Sequence, residues 1–168
     1  KAGQDELKIS DTVHKALPDF PKFAITYSLS ENEETSTINQ DKMKEALKDY
    51  QEMFGSSYQI DAINAYNNNL NERLARKEKK YLDRSQQLDL VIVVDRLLTG
   101  FDAPCLSTLF IDRQPMAPQN IIQAFSRTNR LFDYAKQYGQ IVTFQAPKEY
   151  KNAINKALKL YSRGGDGN

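Results

Sequence analysis

Apolar residues gather in four short runs: Phe23–Tyr27 (FAITY), Leu90–Val94 (LVIVV), Leu109–Ile111 (LFI) and Ile141–Phe144 (IVTF). The second run does not alternate and is rich in β-branched residues, which suits a central strand covered on both faces. Between the runs, apolar positions recur at helical spacing over Asp41–Phe54, Leu70–Leu82, Pro118–Leu131 and Tyr150–Tyr161. Strands alternating with helices predict an α/β domain built on a parallel sheet with helices on both faces. The stretch 29–88 is too long for one crossover and must include a helical excursion. The reading is one domain over 1–163 and a glycine-rich flexible tail over 164–168.

In open α/β sheets, ligands gather beyond the carboxyl ends of the strands. Ser28, Asp95 and Asp112 stand at those ends. Each suits a site there, but for Asp95 and Asp112 plain strand termination or helix capping is the favoured reading.

Composition narrows the chemistry. The 168 residues carry 23 Lys and Arg against 22 Asp and Glu, so any contact with nucleic acid needs a local basic patch. One cysteine, Cys105, and one histidine, His14, leave no intrachain disulfide and too few ligands for the usual zinc sites. His14 lies in a polar stretch and reads as a surface residue, so neither a Ser/His nor a Cys/His nucleophile pair is expected. The cysteine usage fits a reducing, cytoplasmic setting. No apolar run approaches the length of a membrane span. The chain starts at Lys1, as a piece of a longer protein would.

Two segments carry candidate chemistry. On the helix expected over Pro118–Leu131, Gln123, Arg127 and Arg130 fall in one sector at about 100° per residue, with Ile121 and Phe125 turned inward. Two guanidiniums on a rigid face match an anion with several oxygens, because each offers forked donors that lysine lacks. They match an ordinary solvated helix face as well. Guanidiniums locked into internal carboxylate pairs, pointing away from the sheet's ligand-binding rim, would count against an anion site. The other segment, Leu98–Pro104 (LTGFDAP), follows the second apolar run. There Gly100 permits a close backbone approach and Asp102 offers an acceptor pair to a ribose hydroxyl or a helix N-cap.

Together, Thr99–Pro104 (TGFDAP) and Gln123–Arg130 (QAFSRTNR) resemble motifs V and VI of superfamily 2 helicases and translocases. The longer string Asp89–Pro104, with Lys136 and Gly139–Phe144 (GQIVTF), is similar to the motor (R) subunit of type I restriction enzymes. Phe23–Ser28 resembles the strand of motif IV. Ser126 and Asn129 stand where the commoner helicase pattern has glycines.

The resemblance implies the second of two RecA-like domains that clasp ATP while double-stranded DNA runs across both. It implies that Arg127 and Arg130 contact the ATP phosphates, with Arg130 the arginine finger. It also places Gln123 in support of the site, Gly100 and Asp102 beside the nucleotide sugar, and Thr99 against DNA. No phosphate loop of the form GxxxxGK[ST] occurs, and Asp5-Glu6 has no preceding strand. The phosphate cradle and the Mg²⁺ site would belong to a first RecA-like domain outside this sequence, and DNA cleavage to a nuclease domain also outside it. The isolated piece is then expected to be inactive. Modification and specificity subunits are the implied partners.

A basic run, Arg73, Arg76, Lys77, Lys79 and Lys80, broken only by Glu78 among the charged residues, predicts a cationic helix face. Such a face could ride on DNA phosphates without reading sequence, or it could be a solvated surface. The Tyr66–Asn69 run offers neutral donors nearby. A phosphate- or nucleic-acid-binding module without turnover of its own is the alternative reading of the whole chain.

Overall fold

The structure is a computed structural model that describes residues 9–27, 33–94, 102–114 and 116–163, with side chains at all but 27, 33–37, 94, 161 and 163. Ser28, Asp95, Thr99 and Gly100 lie outside the described residues, as does the tail 164–168. The chain divides into two compact units, Lys1–Arg73 with Lys77–Arg96 and Leu74–Arg76 with Leu97–Asn168.

The first unit contains helix α1 (Asp11–Ala16), strand β1 (Phe23–Tyr27), helix α2 (Glu33–Phe54), helix α3 (Ile63–Ala75) as far as Arg73, and strand β2 (Leu90–Val94). Strands β1 and β2 pair in parallel, with Phe23 opposite Leu90 and Tyr27 opposite Val94. On β1, Ala24 and Thr26 are buried. Two contacts from α3 hold this strand: the Tyr66 hydroxyl donates to the Ile25 carbonyl at 2.7 Å, and Thr26 Oγ1 donates to Asn67 Oδ1 at 3.0 Å. Helix α2 buries Met43, Leu47 and Tyr50, spaced four and three residues apart, and α3 buries Tyr66, Leu70 and Arg73 at the same spacing. Each fully buried apolar side chain of this size contributes about 1.5–3 kcal/mol.

Two expectations change here. Leu90 and Ile92 are 43% and 38% exposed, so β2 is not covered on both faces. The side chains of the two-stranded sheet alternate, so Phe23, Leu90 and Ile92 share an open face while Ala24 and Thr26 are buried on the other. The helix expected over Leu70–Leu82 instead spans Ile63–Ala75. The chain leaves it through Arg76 at φ 51° and continues in short 3₁₀ turns at Lys79–Leu82 and Arg84–Gln86. Helix α2 starts earlier than its apolar spacing suggested and stops at Gly55, whose φ of 72° suits the left-handed residue that closes many helices.

A polar clasp closes the start of the strand pair. Asp89 Oδ2 accepts the Lys22 N–H at 2.8 Å, and the Asp89 N–H donates to the Lys22 carbonyl at 2.8 Å. Arg84 holds both Asp89 oxygens, at 3.0 and 2.8 Å, and Lys22 Nζ donates to the Ser85 carbonyl at 2.7 Å.

The second unit contains strand β3 (Thr108–Ile111), helix α4 (Pro118–Ser126), strand β4 (Gln140–Thr143) and helix α5 (Pro147–Arg163). Strands β3 and β4 pair in parallel, Thr108 opposite Gln140. Pro118 opens α4, where its missing N–H has no helical partner to lose. Helix α4 buries Ile121 and Ala124 and packs on α5, which buries Tyr150 and Ala157. The Tyr150 hydroxyl donates to the Gln114 carbonyl at 3.0 Å, so the last helix belongs to this unit. Phe110 and Phe144 stack at 6.1 Å on an exposed part of the sheet.

Candidate phosphate-contacting site

Helix α4 ends at Ser126, four residues short of Arg130. The expected single face of Gln123, Arg127 and Arg130 is therefore corrected. Gln123 and Arg127 remain one turn apart, since Arg127 is the C-cap with helical dihedrals, but Arg130 lies in the turn beyond. The local chemistry explains the stop. Ser126 Oγ donates back to the Gln123 carbonyl at 2.8 Å and Thr128 Oγ1 to the Phe125 carbonyl at 3.1 Å. Backbone bonds from Arg127 to Ala124 and from Thr128 to Phe125 tighten this last turn.

The turn that follows is pinned from two directions. Lys136 is buried, and its ammonium donates to the Thr128 carbonyl at 2.9 Å and to the Arg130 carbonyl. Gly139 lies so close to Thr128 that a Cβ there would stand 2.4 Å from Thr128 Cβ, O and Oγ1. Residue types at 136 and 139 thus set the path of residues 128–130. Both lie within the stretch that resembles the motor subunit, where their residue types alone suggest no role. The signal was a lysine and a glycine at a fixed interval from Thr128, legible only once the chain returns on itself.

Arg130 forms an ion pair with Asp102, which brings the ends of the two motif-like segments together. The pair is not internal: the side chains are 55% and 36% exposed. Gln123 is exposed and Arg127 is half-buried. Beside this turn an open cleft of about 380 Å³ is lined by Arg76, Cys105, Thr108, Phe132, Lys136 and Gln140, among others. Thr108 and Gln140 begin β3 and β4, so the cluster gathers at the amino ends of these strands, not the carboxyl ends where chemistry was expected. At the carboxyl end of β3, Asp112 accepts a hydrogen bond from Gln145 Nε2 at 2.8 Å and serves as a strand-end tie.

The basic run does not form one cationic face. Arg73 is 3% exposed, and its guanidinium donates to the Tyr50 hydroxyl, to Asn69 Oδ1 and to both oxygens of Gln86. It also lies 3.9 Å from the Phe54 ring centre. The expectation that Arg73 meets DNA is corrected: it shares the inward stripe of α3 with Tyr66 and Leu70. Tyr66 and Asn67 are likewise internal, and Asn69 bridges the Tyr50 and Tyr81 hydroxyls. Burial pushes the Tyr50 hydroxyl above its usual range, against the opposing pull of Arg73. Arg76 stands over the Phe132 ring at 5.9 Å. Lys80 pairs with Glu78 at 3.0 Å, while Lys77 and Lys79 are exposed.

Burial also pushes the Cys105 thiol up, and its Sγ lies 3.6 Å from the Leu74 carbonyl, so it is poorly disposed to act as a nucleophile. Among the described residues, no three His, Cys, Asp or Glu side chains gather where they could hold a metal ion. No helix among them is long and apolar enough to cross a membrane.

Comparison with known proteins matches residues 5–146 to the family of type I restriction enzyme subunit R domain 3. The chain belongs to this family. One relative is the type I restriction enzyme SauCOLORF180P endonuclease subunit of Staphylococcus aureus (strain COL). It is 31% identical over 128 residues, covering 76% of this chain and 13% of that protein. The SsaAORF53P endonuclease subunit of Staphylococcus saprophyticus is 31% identical over 95% of this chain and 17% of its own length. The HindI endonuclease subunit of Haemophilus influenzae is 47% identical over 33% of this chain and 5% of its own. The chain thus spans less than a fifth of the length of these relatives.

Proposed function

We propose that this chain acts as the second RecA-like domain of an ATP-dependent DNA translocase within a type I restriction endonuclease subunit. In this reading Arg130 is the arginine finger and Arg127 a second phosphate contact, both directed at ATP cradled by another domain. Double-stranded DNA is the track, and modification and specificity subunits are the partners. Gln123, Thr99 and Gly100 keep the roles that the motif resemblance implies.

The observation that supports this most is the meeting of Arg130 with Asp102 on an exposed, pinned turn. An exposed ion pair contributes about 0–1 kcal/mol, so the guanidinium can exchange Asp102 for a polyanionic phosphate at little cost. Asp102 thereby holds the finger ready and is released toward the nucleotide sugar when ATP arrives. The donor set fits phosphate oxygens, since guanidinium forks bind them bidentately. In the same reading Mg²⁺ is held by the domain that cradles ATP.

An arginine finger stabilises charge on the transferred phosphoryl group and is worth ~10³-fold or more in turnover. Arg130→Ala in a complete subunit carrying this segment abolishes DNA-dependent ATP hydrolysis and translocation while DNA binding persists. Parental turnover by that variant overturns the finger assignment.

A further inference from the structure

The backbone turn that presents Arg130 is built around one buried ammonium group. We infer that Lys136 is a positioning residue for the arginine pair, an inference that rests on the functional reading above. Only 7% of Lys136 is exposed, and its Nζ bridges the carbonyls of Thr128 and Arg130. These carbonyls lie past the end of α4, where no helical N–H reaches them. The main chain of Lys136 is fixed in turn. Asp133 Oδ1 accepts the N–H groups of Ala135 and Lys136 at 2.9 and 2.8 Å, and the Lys136 carbonyl accepts the Phe132 N–H at 3.4 Å. The residues from 128 to 136 therefore close into a loop with the ammonium as its hub.

An ammonium has three donors and no acceptor, so it can hold two carbonyls at once, as a neutral apolar side chain of the same length cannot. Those two carbonyls bracket Asn129 and the Cα of Arg130, so bridging them fixes the backbone from which the Arg130 side chain departs. Without the bridge, residues 128–130 are free to rotate, and a long guanidinium arm turns a small backbone rotation into a displacement of about an ångström. A misplacement of that size at a reacting centre costs on the order of 10²-fold in rate. Lys136 donates inward to the chain's own backbone, so its effect on turnover passes through Arg127 and Arg130.

The test compares Lys136→Met, Lys136→Gln and Arg130→Ala in a complete subunit, using DNA-dependent ATP hydrolysis and thermal melting. Lys136→Met is expected to lower kcat by about 10- to 100-fold, with KM for ATP changed less than about threefold. Lys136→Gln retains an amide donor for one carbonyl and should recover part of that loss. Should Lys136→Met melt below the assay temperature, the Lys136→Gln variant carries the comparison, with an expected kcat loss of roughly 3- to 10-fold. A folded Lys136 variant with parental kcat, beside an inactive Arg130→Ala, overturns the positioning role alone. Parental turnover by Arg130→Ala overturns the functional reading and this inference with it.

Discussion

Replacing Arg73 separates an internal arginine from a DNA-contacting one. Its guanidinium engages four acceptors through three N–H groups: Nε shares its one N–H between the Tyr50 hydroxyl at 2.7 Å and Asn69 Oδ1 at 3.1 Å, and Nη1 donates to Gln86 O at 3.0 Å and Gln86 Oε1 at 2.8 Å. It also faces the Phe54 ring at 3.9 Å, with Tyr50 and Tyr81 at 5.4 and 5.3 Å. Hydrogen bonds to a charged group contribute about 1.5–3 kcal/mol each, and a desolvated cation–π contact about 2 kcal/mol. Desolvating the guanidinium costs several kcal/mol and offsets most of that sum. What Arg73→Ala loses is the remainder, plus the penalty of leaving the two Gln86 oxygens without this donor beside a cavity, while Asn69 Oδ1 keeps the Tyr50 hydroxyl. The expected net loss is about 3–4 kcal/mol. For a chain of this length each kcal/mol shifts Tm by about 2–4 °C, so the melt should fall by about 6–16 °C. The exposed Lys77→Ala should stay within about 0.5 kcal/mol of the parent, while lowering the slope of log affinity against log salt by about one if it meets a DNA phosphate. Far-ultraviolet circular dichroism melts and DNA titration at several salt concentrations read both. An Arg73→Ala protein that melts with the parent but loses DNA affinity would refute this reasoning.

Two other outcomes follow from local geometry. Gly139→Ala forces a Cβ to within 2.4 Å of three Thr128 atoms, one of them the backbone carbonyl, so the upper end of the usual 1–3 kcal/mol overpacking cost is expected, with a matching fall in Tm; an unchanged melt would show that Thr128 gives way freely. Burial raises the Cys105 thiol, so its alkylation against pH should be displaced upward from that of a free cysteine. The sign follows from the neutral thiol being the form the fold favours: this contribution to stability is complete below the ordinary thiol range and is lost as pH climbs through the raised value. An alkylation profile matching free cysteine speaks against burial of that thiol.

The positions of the strands were legible in the sequence because short β-branched runs bounded by polar residues leave little choice. Phe23–Tyr27 and Leu90–Val94 appear with the bounds that the apolar pattern gave. Their coverage was not legible, since a two-stranded pair buries one face and an unalternating run does not say which. The end of α4 was hidden for a different reason. Ser126 and Thr128 tolerate a helix interior, and only their back-bonds to Gln123 and Phe125 show that the helix is closing. Arg73 was read with its basic neighbours because charge along the chain is more visible than direction. Its spacing of seven from Tyr66 and three from Leu70 was the better guide. The likeness to motifs V and VI named Arg130 and Asp102 separately, and the ion pair between them is an observation of the structure.

The clasp at Lys22 and Asp89 also bears on how the chain reaches its native state. These partners are 67 residues apart in sequence, and closing a loop of that length carries an entropic cost of about 4 kcal/mol before any reward is collected. Local formation of α2 and α3 shortens the span that the parallel ribbon must close, so the expected order of assembly is helices before sheet.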